Sequence, residues 1–156
     1  MGRDLREQLR RDREEVLDGL EALSASPPER GLALQRLAEL RRCWKVHMLS
    51  LEAVIYRALE SRDAGTESSR QAEERLVEHK RIDAMFDRMQ AAKAGSITWR
   101  ARLFVVREMI LQHLESEGDL ALRLENSQSL ENLEALSASY ELVRDKLSVL
   151  EDAKAA

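Results

Sequence analysis

The segment Val106–Leu120, VREMILQHLESEGDL, has the spacing of an amphipathic helix and carries two polar side chains on its apolar side. His113 and Glu117 are four residues apart, so one helical turn places them on the same face, near Ile110 and Leu120. A polar pair on an apolar stripe is either a hydrogen-bonded core pair or a pair of metal ligands.

The composition indicates an all-helical protein. Charged residues make up 35% of the 156 residues and aromatic residues only 4%, while Leu, Ala, Glu and Arg dominate. This balance is typical of long amphipathic helices. The length is sufficient for one hydrophobic core, and we predict a single domain over residues 1–156.

Apolar residues recur at helical spacing in five segments with short connections between them. Ser26-Pro27-Pro28-Glu29 resembles a capping box at the start of the second segment, and Gly65 and Gly95 are typical helix stops. No segment alternates at period two for long enough to be a strand. Short connections favour antiparallel neighbours. We therefore predict an all-α, up-down antiparallel four-helix bundle with an additional C-terminal helix. The helices are expected at about residues 3–23, 27–62, 67–93, 97–125 and 130–150.

Charge and apolar content exclude several classes of protein. The net charge of −4, with both signs interleaved, gives no electrostatic footprint for nucleic acid. No apolar run approaches the roughly 18 residues of a membrane-spanning helix, and the charged N-terminal stretch has no secretory signal pattern. The single cysteine, Cys43, excludes an internal disulfide framework. We expect a cytoplasmic protein, monomeric or homodimeric, without a nucleic-acid or membrane partner.

The three histidines of the chain, His47, His79 and His113, fall on the apolar sides of three different predicted helices. Bundle cores are a usual place for metal sites built from facing helices, and imidazole with carboxylate suits iron, manganese or zinc. The other interpretation is that all three are hydrogen-bonded core residues. The spacing is compatible with both interpretations, because it does not show whether the three histidines lie at the same height along the bundle axis. Glu-x-x-His, HExxH, phosphate-loop and paired-cysteine motifs are all missing from the sequence.

Three short segments, in this order and separation, resemble the hemerythrin-like (HHE cation-binding) domain, a helical bundle that houses a non-haem di-iron centre. They are His47-Met-Leu-Ser-Leu-Glu52-Ala-Val-Ile-Tyr56, Glu78-His79-Lys-Arg-Ile82 and His113-Leu-Glu-Ser-Glu117. The similarity extends from about Leu5 to Leu136. The resemblance implies that His47, His79, His113 and Glu117 occupy metal-ligand positions.

The chain departs from the family pattern at two ligand positions. Asp12-Arg13 stands where Asp-His is expected, and Leu51 stands at the carboxylate position four residues after His47. Glu52 follows one residue later, turned by roughly 100° around an α-helix. The family uses a spacing of five elsewhere, so Glu52 is a further candidate ligand, although the helical period favours an exposed surface Glu.

These losses predict one metal ion rather than two. The resemblance implies that His79, His113 and Glu117 serve mainly one metal, and two histidines with one carboxylate form the ligand set of mononuclear non-haem iron sites. We expect iron, with zinc as the alternative metal. We also hypothesise that Arg13 fills the vacated second position and pairs with Glu117. An Arg13 side chain that points to solvent would contradict this hypothesis.

Three functions remain open from the sequence. The first is a metal-binding protein that binds dioxygen, nitric oxide or peroxide for sensing, storage or stress defence. The second is a metal-free bundle that serves as a scaffold or binding module. The third is an enzyme that admits a small molecule beside the remaining metal, in the space near Leu51.

Overall fold

The computed structural model describes residues 4–27, 29–62 and 65–156, without the side chains of Arg30, Ser61 and Arg62. These residues are helical with short connections and include no strand. The prediction of an all-α bundle with an additional C-terminal helix is confirmed. The elements are α1 (Leu5–Ser24), α2 (Arg30–Ser50), a π-helical segment (Leu51–Tyr56), α3 (Arg57–Arg62), α4 (Glu67–Gln90), α5 (Ile97–Ser127) and α6 (Leu130–Ala155).

Side-chain oxygens cap four of the helices. Asp4, Thr66, Ser96 and Ser129 each accept a hydrogen bond from a backbone N–H of the first turn. The predicted capping box before α2 is wrong. Glu29 is the N-cap without a side-chain bond, and the hydroxyl of Ser26 donates to a backbone carbonyl of α1. Pro27, the predicted first helical residue, precedes the helix, which begins at Arg30. Pro28 and the predicted start of α1 at residue 3 lie outside the described residues.

The four bundle helices pack mainly as the pairs α1–α2 and α4–α5. The additional helix α6 lies against α1, α2 and the π segment. Two apolar clusters fill the core. One surrounds Trp44 and Phe86 and the other surrounds Tyr56 and Tyr140. Along α1, α2, α4 and α5, buried polar side chains occur where one cluster gives way to the other, so the helices share a polar layer across the middle of the bundle.

The π segment is the main departure from the predicted helices. The apolar pattern predicts one continuous α-helix through Leu51–Tyr56, but the structure forms a π turn there. Hydrogen bonds in a π turn join residues five apart, so the turn holds one extra residue and changes which side chains face inward. Leu51 and Tyr56 are both buried, and Glu52, five residues after His47, reaches the core.

Two helical glycines provide a matched test of the packing. A Cβ at Gly118 would meet no atom within 4 Å, whereas a Cβ at Gly19 would lie 3.1 Å from Cδ1 of the buried Leu40. We expect Gly118→Ala to raise the free energy of unfolding by about 0.5–1 kcal/mol, because Ala loses less backbone entropy. Gly19→Ala should show no such increase in the free energy of unfolding, because its Cβ would lie too close to Leu40. Urea unfolding followed by circular dichroism measures both, and a destabilised Gly118→Ala would contradict the open space seen there.

Candidate metal centre

The polar layer brings the three histidines together. His47 comes from α2, His79 from α4, and His113 and Glu117 come from α5. Each imidazole is only 1% exposed and the Glu117 side chain is 8% exposed. The packing of these helices places the four side chains at one height along the bundle.

The Nε2 atoms and the Glu117 carboxylate face one another. Nε2 of His47 lies 2.8 Å from Oε2 of Glu117, and Nε2 of His113 lies 3.8 Å from the same oxygen. Nε2 of His79 is 3.0 Å from Nε2 of His113. Three nitrogens and one carboxylate oxygen thus converge on one small volume in the middle of the bundle.

Two further carboxylates orient two of the rings from behind. Nδ1 of His79 donates to Oε1 of Glu52 over 2.7 Å, and Nδ1 of His113 donates to Oε2 of Glu78 over 2.9 Å. Glu78 also accepts a hydrogen bond from Arg75. A carboxylate at Nδ1 fixes the tautomer and leaves Nε2 with its lone pair. The predicted surface position of Glu52 is wrong, and its side chain contacts the outer nitrogen of His79 rather than the converging Nε2 atoms.

This tautomer places two lone pairs in opposition. With both Nδ1 atoms protonated, the Nε2 atoms of His79 and His113 are both acceptors at a separation of 3.0 Å. Two buried acceptors without a donor between them are destabilising. A positive charge at this point, either an added proton or a metal ion, would relieve this opposition.

The pKa values follow from burial and from these contacts. Burial lowers the pKa of His79, with a smaller opposing effect from Glu52. Burial also opposes the charged form of His47, but the charge and hydrogen bond of Glu117 raise its pKa overall. For Glu117, burial acts to raise the pKa, and the nearby histidines lower it overall. The hydrogen bond from His113, with Arg75, lowers the pKa of Glu78 to about 2, so Glu78 is a carboxylate at neutral pH.

Aromatic rings enclose the cluster. The Trp44 ring centroid lies 6.1, 5.7 and 5.3 Å from those of His47, His79 and His113, respectively. Tyr56 lies 5.5 Å from His79. Nδ1 of His47 is buried without a hydrogen-bond partner among the described residues, so no described carboxylate orients this ring as Glu52 and Glu78 orient the other two.

The hypothesis that Arg13 pairs with Glu117 is wrong. The Arg13 side chain is exposed, and Glu117 contacts His47 and His113 instead. Asp12 is the buried residue at this position of α1, and it binds Tyr140 and Arg144 of α6. α1 turns Asp12 inward because it is three residues after Leu9 and four before Val16, on the same buried face.

As the side chains stand, no group of three or more His, Cys, Asp or Glu in the described ranges has the arrangement of a metal site. Nε2 of His47 contacts the Glu117 carboxylate instead, and the Nε2 atoms of His79 and His113 lie 3.0 Å apart. Their chemistry nevertheless fits a divalent cation, since imidazole nitrogen and carboxylate oxygen are ligands for iron and zinc. The opposed lone pairs supply the position that such a cation would occupy.

Comparison with family models matches residues 4–124 to the hemerythrin HHE cation-binding domain. The chain belongs to this family. The match covers α1 to α5 except its last residues and leaves α6 outside it. No curated protein and no solved structure matched the chain significantly. Within the described residues, none of the helices has the length and apolar character needed to cross a membrane.

The sequence interpretation missed the role of Glu78. This residue stood in the family phrase beside His79, but its contact is with His113, which is 35 residues away on another helix. Spacing within one helix carries no signal for such a contact. The apolar pattern of each helix predicted that the histidines point inward. The contact between Glu78 and His113 depends on how α4 packs against α5.

Proposed function

We propose that this HHE-domain protein binds one iron ion through His47, His79, His113 and Glu117, and that the bound iron takes dioxygen, nitric oxide or peroxide in sensing or stress defence. Zinc is the alternative metal. The observation that carries the proposal is the pair of opposed Nε2 lone pairs, 3.0 Å apart, whose outer nitrogens donate to carboxylates.

The separations between the donor atoms support this assignment. Two ligands at right angles around a metal about 2.1 Å away are about 3 Å apart. The His79–His113 and His47–Glu117 separations are 3.0 and 2.8 Å. The 3.8 Å separation of His113 from Glu117 exceeds that value. Binding of one ion would therefore require the Glu117 carboxylate to lie closer to His113.

One ion is favoured over two because the acids around the cluster already have other partners. Glu52 and Glu78 accept hydrogen bonds from the outer nitrogens, and Asp12 binds Tyr140 and Arg144. Leu51, at the family's carboxylate position, is a buried apolar residue. Four converging donors with a single negative charge suit one divalent ion that retains open positions.

The chemistry supplied by ferrous iron with open positions is the binding of small molecules such as dioxygen, nitric oxide or peroxide. The side chains around the cluster would exclude water and orient the histidines. Trp44 and Leu51 are buried beside or near the cluster and exclude bulk water. Glu52 and Glu78 hold His79 and His113 in the tautomer that offers Nε2.

Trp44 gives a direct test of metal binding. Its ring lies within 6.1 Å of all three imidazoles, so bound iron should quench its fluorescence strongly, with an endpoint at about one ion per chain. The titration is performed anaerobically on protein without a histidine tag, and metal content is measured by mass spectrometry. Trp44→Phe should remove most of the quenching, because the fluorescence that remains comes from Trp99. The metal content of this variant should persist. An endpoint at two ions, or no binding, would contradict the proposal.

Glu78→Gln tests the orienting role of the outer carboxylate. Loss of the charge behind His113 should weaken iron binding by about 10- to 100-fold, as for other groups that orient metal-binding histidines. The matched control is Glu73→Gln on the exposed side of α4, which should bind iron normally. Equal affinity in both variants would mean that Glu78 does not support the site.

The metal-free scaffold remains a second candidate, and one observation favours it. A proton shared by His79 and His113, with the His47–Glu117 pair, would satisfy the hydrogen bonds of the cluster without a metal. This candidate predicts no iron or zinc in the purified protein and no uptake after anaerobic loading. The same titration therefore separates the two candidates.

A further inference from the structure

A groove of about 380 Å³ lies between α1 and α5, beside the histidine cluster. Glu117 lines the groove and is only 6% exposed, so it marks the inner side. The apolar part of the lining consists of Leu9, Leu114, Ala121 and Leu122. A volume in this range is typical of small-molecule pockets.

Gly118 keeps the groove open. It lies inside α5, where glycine is unfavourable relative to alanine. Its φ is not positive, and a Cβ there would meet no atom within 4 Å. Neither a backbone conformation nor a close helix contact therefore accounts for glycine here. The visible effect of Gly118 is to widen the groove next to Glu117.

The α1 side of the groove carries three arginines, one per turn: Arg6, Arg10 and Arg13. Arg6 pairs with Glu125 and Arg10 pairs with Glu14. Arg13 makes no ion pair or hydrogen bond with any described residue. The groove thus combines apolar walls with one uncompensated guanidinium, and the exposed Leu122 adds apolar surface.

We propose that this groove binds an aliphatic monocarboxylate of medium chain length. Its carboxylate pairs with Arg13, and its chain covers Leu114, Gly118 and Leu122. A guanidinium binds a carboxylate through two parallel hydrogen bonds, and burial of the chain removes apolar surface from water. This inference does not depend on whether the histidine cluster binds a metal.

The lining favours this ligand class over others. An inorganic anion would leave the apolar walls uncovered. An organic cation would face the unpaired Arg13, because the two carboxylates of the lining, Glu117 and Glu125, already pair with His47 and Arg6. A neutral hydrocarbon would leave the guanidinium without a partner. A carboxylate with an apolar chain complements both parts of the groove.

Octanoate is the probe, titrated into the metal-free full-length protein by isothermal titration calorimetry. We expect saturable binding at one site. Arg13→Gln should weaken it by about five- to tenfold, while Arg81→Gln, a matched change of an exposed arginine on α4, should leave it unchanged. Gly118→Leu should fill the groove and abolish binding, and circular dichroism establishes that this variant remains folded. Octylamine should bind more weakly than octanoate.

Three results would overturn the inference. These are no saturable octanoate binding, equal affinity of Arg13→Gln and the wild-type chain, and undiminished binding by folded Gly118→Leu. The iron titration separates this proposal from the metal proposal. Octanoate binding without iron uptake would contradict only the metal site, and iron uptake without octanoate binding would contradict only the groove.

Discussion

Replacement of His113 by Ala is expected to reduce bound iron from about one ion per chain to a small fraction of that. His113 is the ring that touches the most groups of the cluster. Its Nε2 lies 3.0 Å from His79 and 3.8 Å from Glu117, and its Nδ1 binds Glu78. The variant therefore removes one donor and the contact that positions two others. Mass spectrometry of anaerobically loaded, tag-free protein measures the loss.

Two comparison variants make the result specific. Gln112→Ala, on the exposed side of α5 next to His113, should retain the wild-type iron content. His47→Ala should weaken binding less than His113→Ala, because no described residue orients Nδ1 of His47, whereas Glu78 orients His113. Full iron content in His113→Ala would contradict the assignment of the cluster as the metal site.

The apolar period predicted the fold because it depends on local spacing. Each histidine occupies a position where the stripe of its helix faces the core, and four such stripes in an up-down bundle meet along one axis. His47, His79 and His113 were therefore expected to point inward before their contacts were known. That they lie at one height depends on helix lengths and connections, which the spacing within each helix does not determine.

Glu52 shows where the local pattern failed. In a continuous α-helix, Glu52 is turned away from His47, and the sequence favoured an exposed position. The π segment Leu51–Tyr56 changes the helical phase, and Glu52 reaches Nδ1 of His79. A π turn is less favourable than an α turn and persists where packing or function requires it. Here the extra residue allows the buried Leu51 and Tyr56 to pack while Glu52 orients a histidine.

The first helix was misinterpreted for a different reason. Arg13 stands where the family has a histidine, which suggested that its guanidinium fills the position of the second metal ion. In the structure Arg13 is exposed and the neighbouring Asp12 is buried. The partners of Asp12, Tyr140 and Arg144, come from α6, more than 120 residues later and outside the family match. No pattern within α1 indicates that contact.

Asp12→Ala is expected to lower the free energy of unfolding by about 3 kcal/mol, because loss of one partner of a buried pair leaves the other without compensation. Asp12 is 2% exposed and accepts from both Tyr140 and Arg144, while Arg144 retains Glu15. Glu15→Ala is the control and should cost less than about 1 kcal/mol, since Glu15 is largely solvated. Urea unfolding measures both changes. Similar free energies of unfolding for the two variants would mean that Asp12 does not stabilise the packing of α6 against α1. A selective loss in Asp12→Ala would show that the acid beside the missing first-helix histidine now holds the additional helix in place.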